Sequence, residues 1–281
     1  MREILIADAG STKTDWSLLR GSNFTPFRIR TRGINPAHIS EEEIVTALQE
    51  LKNQLPEGDV SKIRFYGAGC ASSSLCNKIK TALETVFKTL DVEVNSDLLG
   101  AAIALFDAGE GIAAILGTGS ATGFYENGEI KERTPSLGFI LGDEGSGSAL
   151  GKRLLNAVFK KQISQDLSLK FFEEYQLGLD ELIRKVYLNN HAAAYMASFS
   201  PFLLKNLDNE EIYDLVEYEF NSFFVKNIAP YHLGKEINLG MVGSIAYNFE
   251  PVIRKTAEKH GIIITKIMKE PMPSLENFFS K

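Results

Sequence analysis

The chain has 281 residues, 44% hydrophobic and 23% charged, with a formal net charge of -6. This is the composition of a globular protein able to bury a core, long enough for one large domain or two ordinary ones. The acidic balance argues against a nucleic-acid surface or a basic membrane patch, and no apolar run reaches the ~18 residues of a membrane-spanning helix.

Strands and helices alternate along the chain. "EILIAD" reads as a buried strand, "TDWSLL" as its partner and "FTPFRIRTRG" as a third. Ser40 opens a helix, "SEEEIVTALQELKNQL", with Ser40 and Glu43 in capping-box positions and Ile44, Leu48, Leu51 and Leu55 on one face. A strand "KIRFYGAG", a helix "SLCNKIKTALETVFKTL", a short strand "VEVNSD" and a helix "LLGAAIALF" follow. At "GIAAIL" the opening pattern returns: strand, small-residue loop, second strand, then Asn127-Gly128, a two-residue hairpin signal. Laying Gly10-Ser11 on Gly119-Ser120 matches the two loops, so the chain is expected to hold two related halves. Residues 146–230 read as largely helical. A strand "INLGMV", one helix "SIAYNFEPVIRKTAEKH" and a strand "GIIITKI" close the second half. The expected boundaries are 1–108 and 109–267, with 268–281 packing back on the first domain.

The N-terminus shows no signal-peptide layout, so a cytoplasmic protein is expected. Cys70 and Cys76 make neither a disulfide framework nor a metal set, and His38, His191, His232 and His260 are scattered.

Four stretches carry candidate chemistry. In "DAGSTKT" small residues leave successive backbone N–H groups uncovered, a concave donor surface for phosphate. Ser11, Thr12 and Thr14 add hydroxyls, Lys13 a cation, and Asp8 a carboxylate for hydrated Mg²⁺. The alternative is a polar hairpin satisfying only its own backbone. Walker A needs Gly directly before its Lys-Ser/Thr pair, where Thr12 stands. "GTGSATG" at 117–123 runs into a strand, whereas a dinucleotide loop opens a helix. Asp97, ending "VEVNSD", either caps the next helix or presents a carboxylate at the carboxyl edge of a sheet. In "GFILGDEGSGSALGKRLL", Gly142, Gly145 and Gly147 surround Asp143 and Glu144, acids suited to hydroxyls or metal-bound water. The following helix start offers N–H groups to an anion, or simply matches the acids to its dipole. "GMVGSIAYNF" places Gly243-Ser244 between a strand and a helix, where backbone can meet a base or ribose.

In this order, "DAGSTKT", Asp97, "LGTGS" and "GMVGS" resemble the actin-like ATPase and sugar-kinase superfamily. With "NSDLLGAAIALF", "ILGTGSATG" and "GDEGS", nearly the whole chain resembles the N-acetylglucosamine kinase branch of the BadF/BadG/BcrA/BcrD ATPase family. The resemblance implies an α/β fold of two ribonuclease H-like (actin-like ATPase) domains with an interdomain nucleotide and sugar cleft. It implies ATP and Mg²⁺ as cofactors, an amino sugar as partner, no nucleic acid or membrane, and room for a homodimer. Gly10, Ser11, Thr12, Lys13 and Thr14 would form the first phosphate loop, with Asp8 near the metal. Gly117, Thr118 and Gly119 would form the second, and Gly243 and Ser244 would meet adenosine. Asn35, Ser120, Ala121, Gly138 and Asp143 match sugar-contacting positions, and Asp97 matches the catalytic carboxylate. The implied reaction is phosphorylation of the 6-hydroxyl of N-acetylglucosamine or a close relative.

Two departures stand out. The family's sugar kinases commonly show a Gly-Gly-Trp-Gly-like stretch before "GDEGS"; here residues 135–138 read "PSLG", without the aromatic. The family's acyl-CoA dehydratase activators hold an iron–sulfur cluster, and Cys70 and Cys76 lack their spacing. The related repressor/open-reading-frame/kinase family carries a Cys-rich zinc motif absent here. A partner-driving ATPase and a non-catalytic sensor are the alternatives.

Overall fold

The computed structural model describes residues 3–10, 12–21, 25–37, 39–70, 72–188, 191–231 and 238–281. The chain divides into two compact units: Met1–Glu110 with Tyr125–Ile130 and Glu270–Lys281, and Gly111–Phe124 with Lys131–Lys269.

The first unit runs β1 (Glu3–Ala9), β2 (Lys13–Arg20), β3 (Phe27–Arg32), α1 (Glu41–Lys52), β4 (Lys62–Gly67), α2 (Ser73–Phe87), β5 (Val92–Ser96) and α3 (Asp97–Phe106). Its sheet has the order β3-β2-β1-β4-β5. β1 pairs antiparallel with β2 and parallel with β4 and so is an inner strand, and the helices packed on the sheet cover its faces, which is why its sequence is almost continuously apolar. Leu5, Ala7, Trp16, Leu18, Ile63 and Phe65 pack on one face against Ile44, Leu48 and Leu51 of α1 and Ile79 and Leu83 of α2. The capping box at α1 is formed: Ser40 Oγ accepts from Glu43 N–H and Glu43 accepts from Ser40 N–H. β1 and β4 also contact α3, and β1 and β2 contact the last helix of the chain, described below.

The second sheet opens with β6 (Gly111–Leu116), β7 (Ser120–Glu126) and β8 (Glu129–Thr134). Asn127 and Gly128 both take positive φ, 53° and 82°, as a tight hairpin turn requires. The helices α4 (Gly138–Leu141), α5 (Gly147–Phe159), α6 (Gln165–Tyr175), α7 (Leu179–Tyr187), α8 (Ala192–Ala197), α9 (Ser200–Lys205) and α10 (Glu210–Phe223) follow. The chain then runs through β9 (Leu239–Val242), α11 (Ser244–Asn248), α12 (Glu250–Lys259) and β10 (Ile264–Met268), and ends in α13 (Met272–Phe279), which belongs to the first unit. Phe171, Phe202, Phe220, Phe223, Phe224 and Phe249 are wholly buried in one core with Leu116, Leu150, Leu154 and Met241. Among the described residues no helix is long and apolar enough to cross a membrane.

The second sheet is ordered β10-β9-β6-β7-β8, which read from β8 is the order of the first. Two halves of one topology are therefore present, with a three-residue loop between the first two strands of each. Counted from the strand ends, the equivalent of Gly10 is Gly117, not Gly119; the alignment of Gly10-Ser11 on Gly119-Ser120 is two residues out of register. The single helix expected over 244–260 is two. Phe249 closes α11 and opens α12, because Pro251 fixes its own φ and has no N–H to extend the first helix. The short helix α4 and the C-terminal helix α13 were not anticipated.

Candidate active site

In the first unit, β1, β4 and β5 run parallel and end level: Ala9 lies beside Gly67 and Gly67 beside Ser96. Asp8 thus sits one residue before the end of β1, and Asp97 one residue beyond the end of β5. The cap of α3 is Ser96, whose Oγ accepts from Leu99 N–H. Asp97 is instead the first helical residue, its Oδ1 accepting from Leu98 N–H at 2.8 Å, so of the two alternatives for Asp97 the helix cap is not the one observed. Burial, then the Asp97, Asp15 and Glu270 carboxylates, push the Asp8 carboxyl up to about 7, with Lys13 opposing. Three other carboxylates therefore act on Asp8 at the carboxyl edge of the sheet.

The loop after β1 closes through Gly10 N–H, which donates to Lys13 O at 2.8 Å. Thr12 is exposed, while Thr14 is wholly buried and its Oγ1 accepts from Ile34 N–H at 3.2 Å. Lys13 Nζ is held between Asp15 at 2.9 Å and Glu270 at 3.0 Å, and Arg30 bonds both of those acids. Burial would lower the Lys13 ammonium, but the bonds to Asp15 and Glu270 outweigh it and hold the group above its ordinary value. Asn35 is buried, with Oδ1 accepting from Ala37 N–H. Ser11 lies outside the described residues.

In the second unit the loop Gly117–Gly119 is braced from three sides. Gly147 and Ser148, at the start of α5, donate their N–H groups to Gly117 O and Thr118 O. Ala149 N–H is capped by Ser146 Oγ. These N–H groups are therefore occupied by the protein, which corrects the expectation that the start of α5 offers them to an anion. Asp143 Oδ1 accepts from Ser120 N–H at 3.2 Å, and a Cβ on Gly119 would stand 2.9 Å from its Oδ2. Burial raises the Asp143 carboxyl above its ordinary value, Glu144 adds to this, and the Ser120 N–H and Lys152 oppose it. Glu144 points elsewhere, bonded to Lys226 and Asn227. Gly243, between β9 and α11, has φ +126°, and a Cβ there would lie 2.2 Å from Leu116 O. Only glycine lets the backbone after β9 approach the end of β6 so closely. Ser244 is exposed at the start of α11, and Ala121 lies partly buried in β7. Gly138, with φ +71°, opens α4 in an exposed stretch where Leu137, Ile140 and Leu141 are also exposed.

The fold thus gathers Asp8, Gly10, Thr12, Lys13 and Asp97 at one sheet edge, and Gly117, Thr118, Gly119, Ser120, Asp143 and Gly243 at the corresponding edge of the other sheet. Asp15 and Glu270 escaped the sequence reading. Asp15 carried a signal, since it shares a strand face with Lys13. Glu270, 257 residues from Lys13, carried none.

Two units of one topology, each led by a strand–loop–strand with a small-residue loop, define the two-domain actin-like ATPase class. No protein-family model and no curated protein sequence matches the chain. Among solved structures, a Porphyromonas gingivalis protein provisionally named an N-acetylglucosamine kinase is 35% identical, with 99% of this chain and 98% of that one covered, at a TM-score of 0.90. The chain belongs to the family of that protein. A Chromobacterium violaceum protein with the same provisional name aligns over 99% of both chains at a TM-score of 0.78 and 15% identity. The ethanolamine utilization protein EutJ of Carboxydothermus hydrogenoformans aligns over 99% of this chain and 88% of its own at 0.56 and 11% identity. These last two share the fold.

Proposed function

We propose that the chain is an ATP-dependent kinase that phosphorylates an amino sugar, with the 6-hydroxyl of N-acetylglucosamine or a close relative as acceptor. The observation that carries this reading is the carboxylate pair Asp8 and Asp97 at the end of parallel strands, beside a hairpin loop bearing Lys13. Kinship with the Porphyromonas gingivalis protein supports the substrate class.

In this mechanism Asp97 accepts the proton of the sugar hydroxyl as its oxygen attacks the γ-phosphoryl group. The Leu98 N–H fixes one Asp97 oxygen and so orients the base. The Gly10–Thr12 and Gly117–Gly119 loops receive phosphate oxygens through groups other than the Gly10 and Gly117 N–H, which bond Lys13 O and Gly119 O, and Gly243 and Ser244 flank the adenosine. Asn35, Ser120, Ala121, Gly138 and Asp143 hold the sugar. Positioning and charge neutralisation carry most of the rate in phosphoryl transfer, which needs little covalent chemistry.

The donor set fits a hydrated Mg²⁺. All of it is oxygen, and the upward push on Asp8, due first to burial and then to the Asp97, Asp15 and Glu270 carboxylates, is one that a bound cation opposes. No three acidic, His or Cys side chains among the described residues converge to hold an ion unaided, as expected for a metal bound through one or two carboxylates, water and phosphates. When bound, Mg²⁺ neutralises phosphate charge; Asp8 would hold it.

The test is ADP release from Mg·ATP with N-acetylglucosamine, glucosamine, N-acetylmuramic acid, N-acetylmannosamine and glucose offered in turn. Turnover dependent on one amino sugar is expected. Sugar-independent hydrolysis would transfer the assignment to a partner-driving ATPase, and binding without turnover to a sensor.

A further inference from the structure

The chain has two cysteines, and the fold brings them together. Cys70 follows the turn after β4 and is 4% exposed; Cys76 lies in the second turn of α2 and is partly exposed. Cys76 Sγ donates to Cys70 O at 3.5 Å, which sets the second cysteine's sulfur against the first residue's backbone. A single buried cysteine is an ordinary small apolar residue. A buried cysteine whose backbone takes a bond from a second cysteine that lines an opening is a different object. That opening is a cavity of about 430 Å³ beside the edge strand β5, lined by Cys76, Asn77, Lys80, Glu93 and Asn95 among others. Lys80, one turn beyond Cys76 on the same helix, supplies a cation there, and Glu93 an anion that Arg64 pairs.

We propose that Cys70 and Cys76 form a dithiol site that a small-molecule disulfide of the glutathione type oxidises to an intramolecular disulfide. The Cys76 thiolate attacks one sulfur of the small disulfide from the cavity, forming a mixed disulfide and releasing one thiolate. Cys70 then loses its proton and attacks Cys76 Sγ, and the second thiolate leaves. In total two protein S–H bonds and one small-molecule S–S bond are consumed; one protein S–S bond and two small thiols form. The order of attack follows from the surroundings. Cys70 is buried and Cys76 lines the cavity, so Cys76 is the attacking and Cys70 the resolving group; burial, then the neighbouring Cys76, push the Cys70 thiol up to about 12, in the same sense. Capping Cys76 removes the second of those influences.

The site has a line to the chemistry. Gly69, next to Cys70, has φ +82°, and a Cβ there would lie 2.0 Å from Asn35 Oδ1, so the turn rests directly on Asn35. Closing the 70–76 ring draws on this turn. On the reading that Asn35 holds the sugar, the oxidised chain has a raised KM for the sugar with kcat changed less.

The experiment incubates the full chain in a buffer of oxidised and reduced glutathione, blocks free thiols with iodoacetamide and reads the intact mass. The expected product is a monomer lighter than the reduced chain by two hydrogens, with neither cysteine alkylated, and fully reversed by dithiothreitol. Cys70→Ser should stop at a glutathione adduct on Cys76, and Cys76→Ser should leave the chain without adduct or disulfide; Cys70→Ala replaces Cys70→Ser where serine impairs folding. Two alkylated cysteines, a lasting glutathione adduct on the wild-type chain, or a disulfide-linked dimer would each overturn the proposal. The mass result needs no turnover, so a failure of the kinase reading shows separately, as reduced protein that forms the disulfide but releases no ADP.

Discussion

Replacing Asp8 by asparagine should remove most of the pH dependence of stability that its surroundings impose. The Asp8 carboxyl moves from an ordinary 3.8 to about 7 on folding, because burial and the Asp97, Asp15 and Glu270 carboxylates disfavour its charge. The folded chain then holds a proton that the unfolded chain releases, so stability falls as pH rises between those two values. The stabilising contribution is complete below 3.8 and gone above about 7. At about 1.36 kcal/mol per tenfold change, the displacement corresponds to about 4 kcal/mol, of which about 2 kcal/mol is lost between about pH 5 and 7. Urea unfolding of the ligand-free protein across that window should show the wild type losing about 2 kcal/mol more than Asp8→Asn. At about pH 8, where wild-type Asp8 is charged, the variant should be the more stable of the two. Parallel pH profiles for the two proteins would refute the reasoning, since they would mean that Asp8 ionises as freely in the fold as in water.

Asp97→Asn should keep nucleotide binding, read by calorimetry, and lower kcat by ~10²–10⁴-fold, the usual cost of removing a general base; an unchanged kcat would remove Asp97 from the mechanism. Gly243→Ala forces a Cβ to within 2.2 Å of Leu116 O at φ +126°. It should cost about 3 kcal/mol and lower the melting temperature by several degrees, and an unaltered melt would contradict the close approach of the two strand ends. Glu276 is buried in α13, taking a 2.6 Å bond from Ser17 Oγ and a 2.7 Å bond from Arg28 Nε. Glu276→Ala should destabilise the first unit by about 2 kcal/mol in urea titrations, and a neutral result would show that α13 is held by its apolar face alone.

Local sequence determined much of this protein. Apolar periodicity, the Ser40–Glu43 capping box and the Asn127-Gly128 turn specify their elements because each acts through neighbours a few residues away, and the strand–loop–strand repeat was visible for the same reason. The loops around Gly10 and Gly117 were legible as small-residue breaks between apolar strands. What the tertiary structure decided is who meets whom across long separations. The strand ends set the register between the halves, which the similarity of two short loops could not. The N–H groups at the start of α5 bond Gly117 and Thr118, a contact that composition around "GDEGS" does not encode. Glu270 and Glu276 reach Lys13, Arg30, Ser17 and Arg28 only because α13 returns to the first sheet. Asp8 acquires its unusual proton affinity only where strand order and helix packing bury it and bring three other carboxylates within its field. Charge interactions and burial depend on distance in space, and distance in space is what the folded chain alone supplies.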